Sequence, residues 1–270
     1  MKKFTTFLLL AFFANYSFAQ IPTGYYDGTA GSTGYALKTK LHAIIKAGHQ
    51  DKGYGGLWEA YKIGDLDKYY ENDNTILDIY SEKPLTADAY NYIPGTNQCG
   101  GSTPGSEGGC YNREHVFQQG FFNEGTPMKH DYLHVFPTDN VVNGKRGNFP
   151  FGKVGSASWT STNGSKLGTS NFPGYGGTVF EPIDEFKGDI ARSLLYFITR
   201  YEDQLSSFSH TDNNNPQDGS SGRGFDQWYI NLLMLWHQND PVSAKEIARN
   251  NYAYVYQKNR NPYIDHPEWV

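Results

Sequence analysis

Apolar side chains recur at the spacing of an α-helix in several stretches of the chain. Residues 34–48 carry leucine and isoleucine on one face and lysine off that face, which is typical of a helix packed on a core. An apolar cluster at 57–61 indicates a second, short helix, and the most regular pattern covers residues 186–205. Each of these segments is expected to bury one face.

Two further helices are predicted at about 226–238 and 241–258. Asp240 and Pro241 mark the boundary between them, because aspartate is a frequent N-cap and proline suits the first helical position. The last helix is therefore expected to begin at Pro241. Residues 259–265 follow it as a segment docked on the core.

The middle of the chain predicts a strand–strand–helix unit. Residues 112–117 continue from polar to apolar side chains and indicate one short strand, and residues near 131–136 indicate a second. A short polar helix is expected from about residue 139, because Thr138 or Asp139 can cap its first turn. Polar groups from the first strand and from this helix would then face each other.

Other strand signals are weak, and several segments are loops. Residues 75–80 are predicted to form a strand, whereas 91–110 and 207–224 are rich in glycine and polar residues. Residues 155–179 are expected to form a surface loop or a hairpin. The fold class predicted from these elements is α+β, a mostly helical single domain with a small sheet.

The amino-terminal residues have the pattern of a signal peptide. Lys2 and Lys3 precede a short apolar run, and Ser-Phe-Ala at residues 17–19 fits a cleavage site. A membrane span would need about 20 apolar residues, more than this run offers. We therefore expect residues 1–19 to be removed, leaving a secreted or periplasmic domain at residues 20–270 with no membrane attachment.

Net charge is the main objection to a nucleic-acid substrate. The whole chain carries −5, and removal of the two lysines at positions 2 and 3 makes it −7, whereas nucleic-acid-binding proteins are usually basic. Only the contact surface needs to be basic, however. Arg113, Lys145, Arg146 and Lys153 cluster along the sequence around the strand–strand–helix unit.

Cys99 and Cys110 are the two cysteines of the chain. An even number of cysteines in an exported protein favours a disulfide bond. Such a bond would tether the glycine-rich loop just before Glu114. A zinc site is a weaker alternative, because two cysteines supply too few ligands.

The residues around this unit carry a family resemblance. Residues 112–116 read Asn-Arg-Glu-His-Val, and residues 137–146 read Pro-Thr-Asp-Asn-Val-Val-Asn-Gly-Lys-Arg. Together with 180–192, 236–242 and 257–267, they resemble the endonuclease I family of secreted and periplasmic non-specific nucleases. The resemblance implies a ββα-metal core and covers most of the mature chain.

The resemblance also implies roles for individual residues. His115 would be the general base, with its ring held by a backbone carbonyl near residues 129–131. Glu114 and Asn143 would be the metal ligands, and their oxygens suit Mg²⁺, with Mn²⁺ or Ca²⁺ as alternatives. Arg146 or Arg113 would contact a phosphate oxygen. Glu114 and His115 are neighbours, so a locally irregular strand is expected to aim both at one site.

Three other positions bear on this interpretation. Gln118 stands where the family often has proline, and Leu133 stands where related chains often have a second histidine. His134 is interpreted as a core histidine or a residue that supports the site from behind. An asparagine before glycine, such as Asn143, is also a common turn residue.

The predicted function is that of a monomeric, metal-dependent endonuclease without sequence preference. It would hydrolyse double- and single-stranded DNA, and RNA as well, leaving 5′-phosphates as related proteins do. One alternative is an extracellular polysaccharide-binding module, which the abundance of tyrosine and tryptophan would suit. Another is a glycoside hydrolase using Asp184 and Glu185, although nothing in their placement marks a catalytic pair.

Overall fold

Helices and two small antiparallel sheets account for the regular structure of the protein. The computed structural model describes residues 21–100, 105–209, 212 and 214–270, so the predicted signal peptide lies outside the described residues. The helices are α1 (Gly34–Lys46), α2 (Gly56–Gly64), α3 (Asn140–Arg146), α4 (Lys187–Arg200), α5 (Gln227–Asn239), α6 (Ala244–Gln257) and α7 (Pro262–Asp265). The strands are β1 (Tyr111–His115), β2 (Val135–Asp139), β3 (Val154–Thr160), β4 (Lys166–Ser170) and β5 (Thr178–Glu181).

The centre of the core is α4, in which every residue after Lys187 is buried. It packs against α1 and α5, and its Phe197 stacks on Phe117, with ring centroids 3.9 Å apart. Arg192 of the same helix is also buried, and it makes two hydrogen bonds, of 2.6 and 2.8 Å, to the carboxylate of Glu246 on α6. Buried charges are tolerated when they are paired in this way. Through the contact between Phe117 and Phe197, the segment that follows β1 packs directly on α4.

The predicted strand–strand–helix unit is present. β1 and β2 form a two-stranded antiparallel sheet with Glu114 opposite Phe136, and α3 follows β2 directly. Asp139 caps α3, because its carboxylate accepts the backbone N–H groups of the second and third helical residues at 2.7 and 2.8 Å. Of the two candidate caps, Asp139 is the one that the structure uses.

The second strand begins later than the sequence pattern predicts. Residues 132–134 form a 3₁₀ turn, because the side chain of Asp131 accepts the backbone N–H of Leu133 at 3.1 Å and starts a turn there. Another 3₁₀ turn, Met128–His130, comes just before it. Two 3₁₀ turns therefore lie beside the end of β1. The sequence pattern had predicted an extended strand from about residue 131.

The strand predicted at 75–80 is wrong. Ile76 makes only an isolated bridge to Leu66. Near the end of this segment, the side chain of Asp78 accepts the backbone N–H groups of Tyr80 at 2.8 Å and of Asp139 at 2.7 Å. Side-chain hydrogen bonds of this kind compete with strand pairing.

The predicted start of the last long helix is also wrong. The N-cap of α6 is Ser243, which forms a capping box with Glu246 and so satisfies two backbone N–H groups reciprocally. Asp240 instead accepts the N–H of Gly188 at 2.7 Å and caps the beginning of α4. The serine–glutamate pair thus sets the first helical residue at Ala244, three residues beyond Pro241.

The remaining elements agree with the predicted α+β class. Residues 155–179 do form a hairpin, β3 and β4, to which β5 adds a third strand. Cys99 and Cys110 form the expected disulfide. Across the described part of the chain, no helix is both long and apolar enough to cross a membrane.

Candidate active site

A cleft of about 360 Å³ opens between the end of β1 and α3. All five residues that the sequence singled out for catalysis or metal binding lie on its wall. They are Arg113, Glu114, His115, Asn143 and Arg146. Glu114 and His115 line the same cleft although they are neighbours on β1, which ends at His115.

The imidazole of His115 is oriented by the backbone. Its Nε2 lies 3.1 Å from the carbonyl oxygen of Lys129, in the 3₁₀ turn that precedes β2. A carbonyl only accepts hydrogen bonds, so Nε2 carries the proton and Nδ1 of the neutral ring keeps its lone pair. The carbonyl thus holds the tautomer in which Nδ1 can accept a proton.

The surroundings of His115 keep the ring uncharged. Burial, reinforced by the nearby His134, lowers the pKa of His115 to about 3. His134 itself is fully buried, with its Nε2 on the carbonyl of Met128 at 2.6 Å and its ring against Phe197. His134 is therefore a core histidine packed behind His115, with ring centroids 5.8 Å apart.

The carboxylate of Glu114 is buried and has two partners. The hydroxyl of Tyr80 donates to Oε1 at 2.9 Å, and Nη1 of Arg146 lies 3.1 Å from the same oxygen. Burial raises the pKa of Glu114, against the lowering effects of Arg146 and Tyr80. Both contacts fall on Oε1, and within the described residues Oε2 accepts no hydrogen bond.

Arg146 is held by the protein itself. Its side chain is 2% exposed, and it donates to the carbonyls of His115 at 3.0 Å and Val116 at 2.7 Å as well as pairing with Glu114. The guanidinium therefore clamps the end of β1 and neutralises the carboxylate beside it. This arrangement favours a positioning role for Arg146 over direct contact with a substrate.

Asn143 is the fourth residue of α3 and lies within the helix, so it is not a turn residue. Its side chain is half-buried, lines the cleft and makes no hydrogen bond within the described residues. An amide oxygen in this position is available to a ligand. The same cleft therefore holds one carboxylate oxygen and one amide oxygen that no other described residue pairs.

Arg113 also lines the cleft, and its guanidinium lies against two aromatic rings. Its guanidinium carbon is 3.4 Å from the ring centroid of Tyr54 and 4.3 Å from that of Trp58. Nη1 donates to the carbonyl of Tyr54 at 2.9 Å. Because the side chain is only half-buried and lines the cleft, its positive charge faces the space beside His115.

These donors fit a divalent cation that prefers oxygen. Glu114 and Asn143 supply two oxygen atoms, and a cation such as Mg²⁺ commonly binds one or two protein oxygens and fills its other positions with water and substrate phosphate. The remaining wall is also polar, with Asn112, Asn140 and Gln119. The structure is therefore compatible with the predicted metal ligands.

Sequence reasoning missed several residues that shape the site. Tyr80 ends the segment that was predicted to be a strand and Tyr54 precedes α2, and neither stands near the motif in sequence. Gln118 was noted only as a departure from the family; its amide donates to the carbonyls of Asn148 at 3.2 Å and Phe149 at 3.3 Å. It thereby joins the end of β1 to the loop after α3.

The alternative functions receive less support from the structure. The side chain of Asp184 is almost fully exposed and paired with Lys187, whereas Glu185 accepts a hydrogen bond from Tyr70. Many of the tyrosines that suggested glycan binding are buried in the core. Lys153, expected to lie near the site, lines a different pocket together with Trp236.

Comparisons with known proteins agree with the motifs. The Endonuclease I family profile matches residues 33–268. An extracellular ribonuclease of Bacillus amyloliquefaciens is 36% identical over 249 residues, which cover 91% of this chain and 76% of that protein. An extracellular ribonuclease of Bacillus subtilis (strain 168) is 35% identical over 251 residues, with the same shares covered.

Proposed function

The chain belongs to the Endonuclease I family, and on that premise we propose that it is a secreted, metal-dependent nuclease. It hydrolyses phosphodiester bonds in DNA and RNA without sequence preference and leaves 5′-phosphates. The observation that carries this proposal is the cleft in which His115 Nδ1, Glu114 Oε2 and the Asn143 amide have no hydrogen-bond partner among the described residues. The names of the two Bacillus relatives support RNA as a substrate and export as the destination.

Hydrolysis requires a base that accepts a proton from the attacking water. His115 performs this step at Nδ1, because its Nε2–H is already committed to the carbonyl of Lys129. The low pKa keeps the ring neutral, and therefore able to accept the proton, at neutral pH.

Glu114 and Asn143 are the residues that hold the cation. When bound, a divalent cation supplies positive charge that offsets the charge on the phosphoryl oxygens. Tyr80 and Arg146 orient the carboxylate of Glu114 through Oε1 and leave Oε2 for the ion. Arg146 is thus a positioning residue.

Arg113 is the arginine that contacts a phosphate oxygen. It faces the cleft, and the rings of Tyr54 and Trp58 hold its guanidinium plane in place. Contacts to phosphate carry no base information, so they predict cleavage without sequence preference. They also allow a chain with net charge −5 to bind nucleic acid through one local patch.

The test is cleavage by the purified mature protein of supercoiled plasmid and of a long RNA, each with Mg²⁺ and with chelator. We expect cleavage of both only with the metal. His115→Ala should reduce the rate by about 10²–10⁴-fold. His266→Ala is the matched control, because His266 pairs with Glu268 at the surface, away from the cleft.

The products and the base are checked separately. Product ends should become labelled by polynucleotide kinase only after phosphatase treatment, as 5′-phosphates require. Cleavage that persists in chelator would contradict metal dependence. A His115→Ala protein as active as His266→Ala at neutral pH would remove His115 from the mechanism.

A further inference from the structure

Three carboxylates meet outside the active-site cleft, in the irregular segment between α2 and β1. Asp67, Glu71 and Glu82 each offer an oxygen, and these oxygens lie within 4.8 Å of one another. Glu71 is exposed, but Asp67 and Glu82 are buried. Acidic groups that meet at a surface are usually solvated, and two buried acids in such a group need another explanation.

Glu82 is the member that points to a ligand. It is 1% exposed, its Oε1 is shielded from solvent, and its side chain has no hydrogen-bond partner within the described residues. Buried carboxylates are normally paired or coordinate a metal. Asp67, by contrast, accepts backbone N–H groups from Tyr69, Tyr70 and Asn72 at 3.0 to 3.1 Å.

No positive side chain balances this charge. In the described part of the chain, neither lysine nor arginine forms an ion pair with the three carboxylates. The carboxyl groups of Asp88 and Asp78 also lie near Glu82. A bound cation is the simplest partner for a group of this composition.

We propose that Asp67, Glu71 and Glu82 bind a Ca²⁺ ion at a second cation site, separate from the active-site cleft. Three carboxylate oxygens that all lie within 4.8 Å of one another are close enough to contact one Ca²⁺ ion, which binds oxygen at about 2.3–2.6 Å. Ca²⁺ accepts several carboxylates in flexible geometry, whereas Mg²⁺ usually keeps most of its water and takes one or two. The ligand set therefore favours Ca²⁺ over Mg²⁺.

The ion would stabilise a segment that has little regular structure of its own. Among the described residues between 65 and 100 there is no helix or strand. Glu82 also accepts a hydrogen bond at its carbonyl from Asn163 in the turn between β3 and β4. Tyr80, two residues before Glu82, donates to Glu114, so the site borders the segment that reaches into the active site.

The probes are Ca²⁺ alone, in calorimetry and thermal unfolding, and Tb³⁺, whose emission nearby tyrosines can sensitise. Tyr69 and Tyr70 lie beside Asp67 and provide that signal. We expect Ca²⁺ to raise the melting temperature of the mature chain. Glu71→Gln should weaken Ca²⁺ binding by about tenfold or more, because it removes one charged ligand at an exposed position.

Variants separate this site from the active site. In the Asn143→Ala protein, which lacks one ligand of the active-site cation, Glu82→Gln should abolish the Ca²⁺-dependent shift in melting temperature; if the double variant fails to fold, Glu71→Gln decides. Glu59→Gln, an exposed acid on α2, is the matched control and should behave like the parent. Asn143→Ala should retain the Ca²⁺ shift and the Tb³⁺ emission.

Two results would overturn the proposal. One is Ca²⁺ binding by Glu71→Gln with the affinity of Glu59→Gln. The other is loss of the Ca²⁺ shift in Asn143→Ala, which would place the ion in the active-site cleft. Both readouts are independent of nuclease activity, so the proposed function can fail while this site stands.

Discussion

Replacing Tyr80 by phenylalanine tests how the buried carboxylate of Glu114 is held. The change removes one hydroxyl, which donates to Glu114 Oε1 at 2.9 Å, and leaves the ring in place. Tyr80 is fully buried, so water cannot take over the hydrogen bond. Arg146, at 3.1 Å, then remains as the only described partner of that oxygen.

The expected effect follows from the strength of a hydrogen bond to a charged group, about 1.5–3 kcal/mol. Burial already raises the pKa of Glu114, and Tyr80 is one of the two groups that oppose the rise. Without the hydroxyl, the ionised form of Glu114, which a cation requires, is less stable relative to the protonated form. Loss of a group that orients a metal ligand typically weakens metal affinity by about 10–100-fold. We expect the Mg²⁺ concentration for half-maximal cleavage to rise by that factor, with much of the rate recovered at saturating Mg²⁺.

The assay is plasmid nicking over a Mg²⁺ series, beside calorimetric titration of Mg²⁺ without substrate. Tyr201→Phe is the matched control, because its buried hydroxyl also donates to a buried carboxylate, that of Asp131, at 2.8 Å. Both variants should lose stability, and only Tyr80→Phe should require more Mg²⁺. An unchanged Mg²⁺ dependence in Tyr80→Phe, or an equal change in Tyr201→Phe, would refute this account of Glu114.

Three further predictions concern the metal site, the disulfide and acid stability. Asn143→Ala should need more Mg²⁺ and cleave slowly, whereas Asn143→Asp should keep the metal affinity but cleave at a lower rate. Calorimetric titration of Mg²⁺ beside plasmid turnover measures both effects. An alanine variant that binds metal and cleaves like the parent would exclude Asn143 as a ligand. Reducing Cys99–Cys110, which are 11 residues apart, should lower the free energy of unfolding by about 2–3 kcal/mol, as urea titration with and without reductant would show; an unchanged midpoint would contradict it. Burial lowers the pKa of His134 to about 4, below the value near 6.5 in the unfolded chain, so the unfolded state binds the extra proton between these values. Stability should fall as the pH drops from 6.5 to 4, with His134 contributing a slope of about 1.4 kcal/mol per pH unit, and His134→Gln should flatten the measured curve.

The sequence was most informative where the physical cause is local. Helical spacing of apolar residues predicted α1, α4 and α5. α1 and α5 bury one face, whereas α4 is buried on all sides, because its polar residues find partners inside the protein, as Arg192 does with Glu246. Asp139 was identifiable as a candidate cap because a cap bonds to backbone within three residues of itself. The same local logic failed at Pro241, where two rival N-caps lay close together and the capping box of Ser243 prevailed.

The same distinction between local and long-range causes applies to the active site. Its candidate residues were named from the family resemblance that the motifs carry, and they do line one cleft. The resemblance also predicted the backbone carbonyl that orients His115, near residues 129–131, and the carbonyl of Lys129 does hold the ring. Tyr80 was not predicted, because it reaches Glu114 across 34 residues of the chain. Such contacts depend on which segments the folded chain brings together.

Tertiary structure also distinguished between two arginines that are equivalent as sequence letters. Arg113 faces the cleft between aromatic rings, whereas Arg146 is buried with its donors on Glu114 and on the end of β1. Charge is a property of the residue type, but availability to a phosphate depends on burial and on which hydrogen bonds are already made. Those are set by packing over the whole chain, which is why sequence alone named the candidates and only the fold separated their roles.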